Sequence, residues 1–189
     1  MRKITQKVLG RDFFNRPTLK VAKELLGKFL IRRINGKEIA LMITEVEAYD
    51  GPNDKASHAS CGKTERNKIM FGEAGKWYVY FTYGMHWMLN IVTGPKNYPA
   101  AVLIRGTKEI SGPARITKFL KIDKKFNGAP ANKKTGLWIA ASINRGEPRP
   151  KGAGRFKIER LPRVGVDYAG KWAKKLYRFY LKDVDLQKS

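Results

Sequence analysis

The alternation of apolar and polar residues predicts a β-hairpin near the middle of the chain. Side-chain character alternates with a period of two over residues 77–82, which is typical of a strand. Tyr83 and Gly84 follow, and a turn is expected there because glycine tolerates a positive φ. Residues 87–92 are predicted to form the returning strand.

The same patterning predicts two helices and further strands. Thr18 is expected to cap a first helix, and Gly27 to end it. Gly112-Pro113 is expected to open a second helix that continues to Ile122. Asn35-Gly36 is a strong hairpin-turn signal. Further strands are predicted over residues 29–34, 38–49, 100–105 and 138–141, a loop over 124–135, and a turn-rich stretch over 143–151.

These elements predict one domain that spans residues 1–189. The chain has neither an internal repeat nor a long linker, and 189 residues suffice for one substantial core. The order of helix, hairpins, helix and strand predicts an α+β fold with a mostly antiparallel sheet.

Composition narrows the functional classes. The chain has 39 Lys and Arg against 16 Asp and Glu, a formal charge of +23, which attracts polyanions. The basic residues are not gathered on one amphipathic helix, and no apolar run approaches the ~20 residues that span a bilayer. One cysteine excludes an internal disulfide, and two histidines argue against a zinc site. We therefore expect a cytoplasmic protein that binds neither membranes nor zinc.

Charge and aromatic content together point to nucleic acid. Six aromatic residues lie between Trp77 and Asn90, within the predicted hairpin. Tyr83 and Met85 at its tip have the chemistry of a wedge, since apolar side chains can enter a base stack when cations hold the backbone. The alternative interpretation is that these aromatics fill a core.

Two carboxylates share one face of the strand predicted over residues 38–49. Period two places Glu45, Glu47 and Tyr49 together. The two glutamates could form a solvated edge, or bind Mg²⁺ with Asp50 and Asp54 as in a nuclease, or one could activate water beside an aromatic pocket. The neighbouring tyrosine favours the pocket.

His58 and Arg66 lie in the segment that follows this strand. His58 could line the pocket or serve as a structural hydrogen-bond partner. Arg66, beside Asn67, could fix a turn or contact a phosphate. The residue types alone leave these alternatives open.

Taken together, the chain resembles the alkyladenine (3-methyladenine) DNA glycosylases, the type without a helix-hairpin-helix motif. The resemblance covers nearly the whole chain from about Phe13. It rests on Glu45-Val46-Glu47-Ala48-Tyr49 with Gly51-Pro52 and Asp54, on Ala56-Ser57-His58 with Arg66-Asn67, on Tyr78-Val79-Tyr80 with Tyr83-Gly84-Met85 and Asn90, on Val102-Leu103-Ile104-Arg105, on Gly112-Pro113, on Arg163-Val164-Gly165-Val166, and on Arg178-Phe179-Tyr180.

The resemblance implies a fold and a set of roles. It implies a curved, barrel-like sheet flanked by helices, with a protruding hairpin. It also implies Glu47 as general base, a base pocket of Tyr49, His58, Tyr80 and Asn90, a wedge of Tyr83 with Met85, and a conformational or DNA-side contact by Arg105. Arg66 and Arg115 are further predicted DNA contacts.

The activity implied is base excision. Such an enzyme flips alkylated purines out of duplex DNA and hydrolyses the N-glycosidic bond, which leaves an abasic site. The resemblance implies no cofactor, a monomer, double-stranded DNA as partner and association with the bacterial nucleoid; deaminated purines are a further substrate class. A Mg²⁺-dependent nuclease and a non-catalytic nucleic-acid-binding protein remain the alternatives.

Overall fold

A computed structural model describes residues 6–143 and 157–182, and one antiparallel sheet dominates this part of the chain. Its strands are β1 Gln6–Val8, β2 Phe29–Ile34, β3 Lys37–Asp50, β4 Trp77–Thr82, β5 His86–Val92, β6 Ala100–Thr107, β7 Leu137–Ile143, β8 Lys157–Leu161 and β9 Arg178–Lys182. The helices are α1 Arg11–Phe14, α2 Thr18–Leu25 and α3 Pro113–Phe119, with 3₁₀ helices at His58–Cys61, Lys68–Phe71, Lys124–Phe126 and Asp167–Trp172.

The strand order confirms the α+β class. Strands follow one another as β1-β7-β2-β3-β6-β5-β4, and β9 pairs with both β3 and β8. Every pairing is antiparallel. Within the described residues the two end strands of this order, β1 and β4, do not pair with each other, so the sheet stays open instead of closing into a barrel.

Strand β3 is the spine of the sheet. Along one edge it pairs first with β2 and then, from Glu45 to Glu47, with β9. Along the other edge it pairs with β6, and the register shifts between Ile43 and Val46. This irregularity bends the strand just before Glu47 and Tyr49, because a bulge adds local twist.

Helices α2 and α3 bury apolar faces against the sheet. Val21 and Leu25 of α2, and Ile116 of α3, are fully buried in the same cluster as the sheet's apolar side chains. At ~25 cal/mol for each Å² of apolar surface removed from water, such side chains supply most of the folding energy. Trp77 joins this core and donates its indole N–H to the carbonyl of Leu137 at 3.1 Å.

Several element predictions are confirmed, and one cap is wrong. The turn glycine Gly27 adopts φ +77°, and Asn35 and Gly36 both adopt positive φ. Thr18 is buried inside α2, where its hydroxyl accepts a hydrogen bond from Thr93, so it does not cap the helix. Helix α3 ends at Phe119, earlier than predicted. Most of the turn-rich stretch 143–151 lies outside the described residues.

Candidate active site

The predicted pocket residues meet in one cavity of about 270 Å³. The cavity is lined by side chains from β3, the hairpin β4–β5, β6, the 3₁₀ helix at His58 and the segment from Val164 to Tyr168. The wall includes Glu47, Tyr49, His58, Tyr78, Tyr80, Tyr83, Asn90, Leu103, Arg105, Val164 and Tyr168.

Glu47 is the buried carboxylate of this cavity. Its Oε2 accepts a hydrogen bond from the Tyr49 hydroxyl at 3.0 Å, and its Oε1 accepts one from the Val164 N–H at 2.9 Å. The side chain is 1 % exposed, and Arg105 Nε lies 3.5 Å from Oε1. Burial raises the pKa of Glu47, and the charge of Arg105 opposes that rise. The site therefore holds a carboxylate that is fixed in place and more basic than usual.

Arg105 lies between the two glutamates of β3. Its Nε is 3.1 Å from Glu45 Oε1, and Arg178 Nη1 binds the same oxygen at 3.0 Å. Glu45 is therefore neutralised by two guanidinium groups, whereas Glu47 shares only one of them. This arrangement places Arg105 in the cavity wall, beside the candidate base.

Three aromatic rings form a connected wall. The His58 Nδ1 and the Tyr78 hydroxyl are 3.0 Å apart, and the His58 and Tyr80 rings meet edge to face at 4.6 Å. Burial lowers the pKa of His58, as does the charge of Arg66, so the ring is neutral at neutral pH. Burial likewise raises the pKa of Tyr49 well above its usual value. The wall is an uncharged aromatic surface.

Tyr78 belongs to this wall although the sequence interpretation did not assign it a role. It is buried with Met70 and Val92 in a small cluster under the cavity. The period of β4 could have indicated it, because Tyr78 precedes Tyr80 by two residues and so shares its face.

Asn90 lies in the cavity wall with a fixed orientation. Its Nδ2 donates to the Tyr78 carbonyl at 3.2 Å, and the side chain is buried. The Oδ1 accepts no hydrogen bond from the described residues. An amide held by its nitrogen presents its oxygen, an acceptor that repels other acceptors.

The hairpin tip leaves two apolar side chains in solvent. Tyr83 is 80 % exposed and Met85 68 % exposed, whereas Trp77 and Tyr78 at the other end are buried. Tyr83 adopts φ +51° ahead of Gly84, and it also borders the cavity. The hairpin thus combines both interpretations, since its base fills the core and its tip is free to act as a wedge.

Neither Arg66 nor Arg115 lines the cavity, but Arg66 lies against one of its aromatic rings. Arg66 donates to the Phe81 carbonyl at 3.3 Å, with its guanidinium 5.3 Å from the centre of the Tyr80 ring. Arg115 is exposed in the first turn of α3 and does not line the cavity. Their contacts with DNA stay predictions.

Arg163, which the sequence analysis quoted within the resemblance but gave no role, supports the cavity from behind Tyr49. It forms a fully buried ion pair with Asp54, including an Nη2–Oδ1 hydrogen bond of 2.8 Å, and it donates to the Ala48 carbonyl at 2.9 Å. Its guanidinium lies 4.9 Å from the centre of the Tyr49 ring. Arg163 immediately precedes Val164, so this ion pair fixes the N–H that binds Glu47.

This ion pair also bears on the magnesium hypothesis. Asp54 forms an ion pair with Arg163, and Glu45 forms ion pairs with Arg105 and Arg178. Asp50 accepts a hydrogen bond from the Tyr98 hydroxyl at 3.3 Å. The described residues include no group of three or more His, Cys, Asp or Glu side chains that could hold a metal ion.

No helix in the described part of the chain has the length and apolar character to cross a membrane.

Comparison with known proteins gives one consistent family. The family model described as methylpurine-DNA glycosylase (MPG) matches residues 12–111 and 106–185. A protein of Methanocella arvoryzae, named "Putative 3-methyladenine DNA glycosylase", is 42% identical in an alignment of 196 positions that covers 93% of each chain. Proteins of the same name from Legionella pneumophila (strain Corby) and Clostridium perfringens are 42% and 39% identical, over 93% of this chain and 94% and 96% of theirs.

Proposed function

Because the chain belongs to the methylpurine-DNA glycosylase family, it is a DNA glycosylase, and we propose that Glu47 activates the water that releases alkylated purines. The observation that carries this proposal is a single buried carboxylate inside an aromatic cavity that opens beside an exposed hairpin tip. The damaged nucleotide flips into the cavity, since its glycosidic bond is out of reach inside a duplex.

The aromatic wall suits a cationic base. N-alkylated purines carry a positive charge, and stacking on Tyr49 and Tyr80 gains a cation–π attraction of about 0.5–2 kcal/mol. His58 remains neutral, which avoids charge repulsion with the bound base. An undamaged purine lacks this attraction, so the cavity discriminates by charge.

Hydrolysis needs one proton acceptor. Glu47 takes a proton from water as the water oxygen bonds to C1′, and the base leaves with the electrons of the glycosidic bond. A cationic alkylated base becomes neutral as it leaves, so it needs no general acid. Deaminated purines are neutral and need protonation, which makes them a slower second class in this proposal.

The product is an abasic site. A lyase forms a Schiff base from a lysine, and no lysine lines the cavity within the described residues. Water therefore adds at C1′, the free base leaves, the abasic sugar stays in the intact strand, and strand cleavage needs added alkali.

A lesion panel tests the proposal. The purified protein is incubated with duplexes that each carry one 3-methyladenine analogue, hypoxanthine or undamaged purine, and abasic sites are then cleaved with alkali. Alkali-dependent cleavage at alkylated purines, unchanged by EDTA, is expected. Strand cleavage that EDTA abolishes would instead show the magnesium nuclease.

Tyr83→Ala removes the side chain that fills the gap left by the flipped base. Unstacking costs a few kcal/mol per step, so excision should fall for every lesion and least for an unpaired base. The check is a set of single-turnover rates on paired and bulged lesions. If the ratios of excision rates between lesions change, and rates at bulged sites fall as much as rates at paired sites, Tyr83 does not have this role.

Asn90→Ser should act on selectivity instead. The shorter side chain opens space beside the base edge, so excision of alkylated or undamaged guanine should rise relative to alkyladenine. The ratio of the two rates within one preparation is the measurement. A uniform fall across all bases would show that Asn90 only supports the Tyr78 backbone, to which it donates.

The positive charge of the protein should make its binding to duplex DNA depend strongly on salt concentration. If roughly five phosphates are neutralised, log K should fall with log salt at a slope near −4 to −5 on duplex DNA. Fluorescence anisotropy between 50 and 200 mM salt measures it. A slope near zero, or tighter binding to single-stranded RNA than to lesion duplex, would favour the binding-protein alternative.

A further inference from the structure

A second cavity opens beside the first and shares part of its wall. It is an open groove of about 680 Å³, and His58 and Tyr168 border both cavities. The residues along it that carry a full charge are Lys55 and Arg66, which are both exposed. No described carboxylate lines it. The groove is therefore a cationic surface that is continuous with the base cavity.

Tyr168 stands where the two cavities join. Its side chain is 73 % exposed, yet its hydroxyl lies 3.3 Å from the Ala56 carbonyl, to which it donates. Tyr80 and Tyr83 line the first cavity together with Tyr168. Tyr168 is an aromatic ring held in one position while its surface faces solvent.

Exposed aromatic rings beside cationic grooves are typical of surfaces that bind nucleic-acid strands. Bases and sugars stack on the ring, and the cations pair with phosphates. Nothing apolar in the described structure covers Tyr168, and its tether to Ala56 limits the entropy that stacking would cost.

We propose that this groove holds the nucleotide next to the lesion on the damaged strand. Tyr168 stacks on that nucleotide, and Lys55 binds its phosphate. The inference rests on the proposed function, because only a flipped nucleotide in the first cavity brings its neighbour to the second. The groove would thereby orient the strand so that C1′ faces Glu47.

Tyr168 could instead be a structural tie between its own segment and Ala56. Two variants separate these roles. Tyr168→Phe loses the hydrogen bond and keeps the ring, whereas Tyr168→Ala loses both. Stacking predicts that Tyr168→Phe, which loses only the tether, stays within about two- to three-fold of wild type and that Tyr168→Ala loses roughly 5- to 150-fold in kcat/KM. A tie predicts that both variants fail alike.

The decisive substrates differ in length at the lesion. One duplex is full length, and in two others the damaged strand ends immediately 5′ or 3′ of the lesion. On one of the two shortened duplexes, kcat/KM of wild type should fall by the same factor that Tyr168→Ala causes on the full-length duplex. On that shortened duplex, kcat/KM of Tyr168→Ala should fall no further than its value on the full-length duplex. Phe119→Ala, which removes an exposed ring on α3 away from both cavities, is the matched control.

Each outcome decides the matter. Wild type that excises no lesion overturns the proposed function and this inference with it. Active wild type with an equally active Tyr168→Ala overturns the inference alone, as does a further loss by the variant on both shortened duplexes.

Lys55 supplies an independent measurement. Lys55→Gln should reduce the salt slope of binding by about one, because one phosphate contact is lost. Lys20→Gln, exposed on α2 and absent from both cavities, should leave the slope unchanged. Equal slopes for the two variants would remove Lys55 from the groove's function.

Discussion

Glu47→Gln should abolish most excision while leaving binding to lesion duplex intact. The substitution keeps the shape of the side chain and its acceptor oxygen but removes the group that takes the proton from water. General-base assistance contributes about 10²–10⁴-fold, so single-turnover rates should fall by that factor. Rates within a few-fold of wild type would show that another group activates water.

Glu45→Gln is the matched control on the same strand face. Glu45 binds Arg105 and Arg178 and is not among the residues that line the cavity. Its loss should weaken excision less than Glu47→Gln, through altered placement of Arg105. A larger loss at Glu45 would move the base two residues along β3.

The pH profile gives a second signature of Glu47. In the proposed mechanism the carboxylate form of Glu47 is the active one, so the rate should fall as pH drops through the pKa of Glu47. Because burial raises that pKa, the fall should begin at a higher pH than an ordinary glutamate would give. The Gln variant should lose this acidic limb, whereas a structural role would leave it in place.

Stability provides the folding control. A carboxyl with a raised pKa in the folded state favours folding when protonated, and that contribution is lost as pH rises through the folded pKa. Ionised Glu47 therefore weakens the native state at neutral pH, and Glu47→Gln should be no less stable than wild type there. Thermal unfolding at neutral pH checks that lost activity is not lost structure.

Local patterns predicted most elements near the site. Period two located β3 and β4, and the pairing of Glu47 with Tyr49 follows from two residues sharing one strand face. The short strands β8 and β9 escaped prediction, since five residues carry little local pattern and these segments become strands by pairing, β8 with β9 and β9 with β3. Tertiary pairing, which no local pattern encodes, decides such segments.

The ion pair of Asp54 with Arg163 also escaped prediction because it depends on tertiary structure. The two residues are 109 positions apart in the sequence, so the local sequence around one does not predict contact with the other. Asp54 appeared as a metal ligand because an acidic residue after a strand fits that role equally well. The partner that neutralises it comes from a segment whose sequence predicts no element.

Removing one partner of that ion pair should be the most destabilising single change at the site. Both side chains of Asp54 and Arg163 are 0 % exposed. Asp54→Asn leaves a buried guanidinium without its counter-ion, which costs about 3–5 kcal/mol. The free energy of unfolding in urea measures this cost. Glu24→Gln, which breaks a partly exposed pair with Arg16, should cost ~0–1 kcal/mol.

The double variant Asp54→Leu with Arg163→Met separates stability from placement of Val164. Apolar side chains of similar size often replace a buried ion pair at little cost, so the double variant should recover most of the lost stability. It should not recover excision, because Arg163 no longer ties its segment to Ala48 and Trp172, and the Val164 N–H loses its fixed position at Glu47. A stable double variant with wild-type rates would show that the ion pair holds the fold alone.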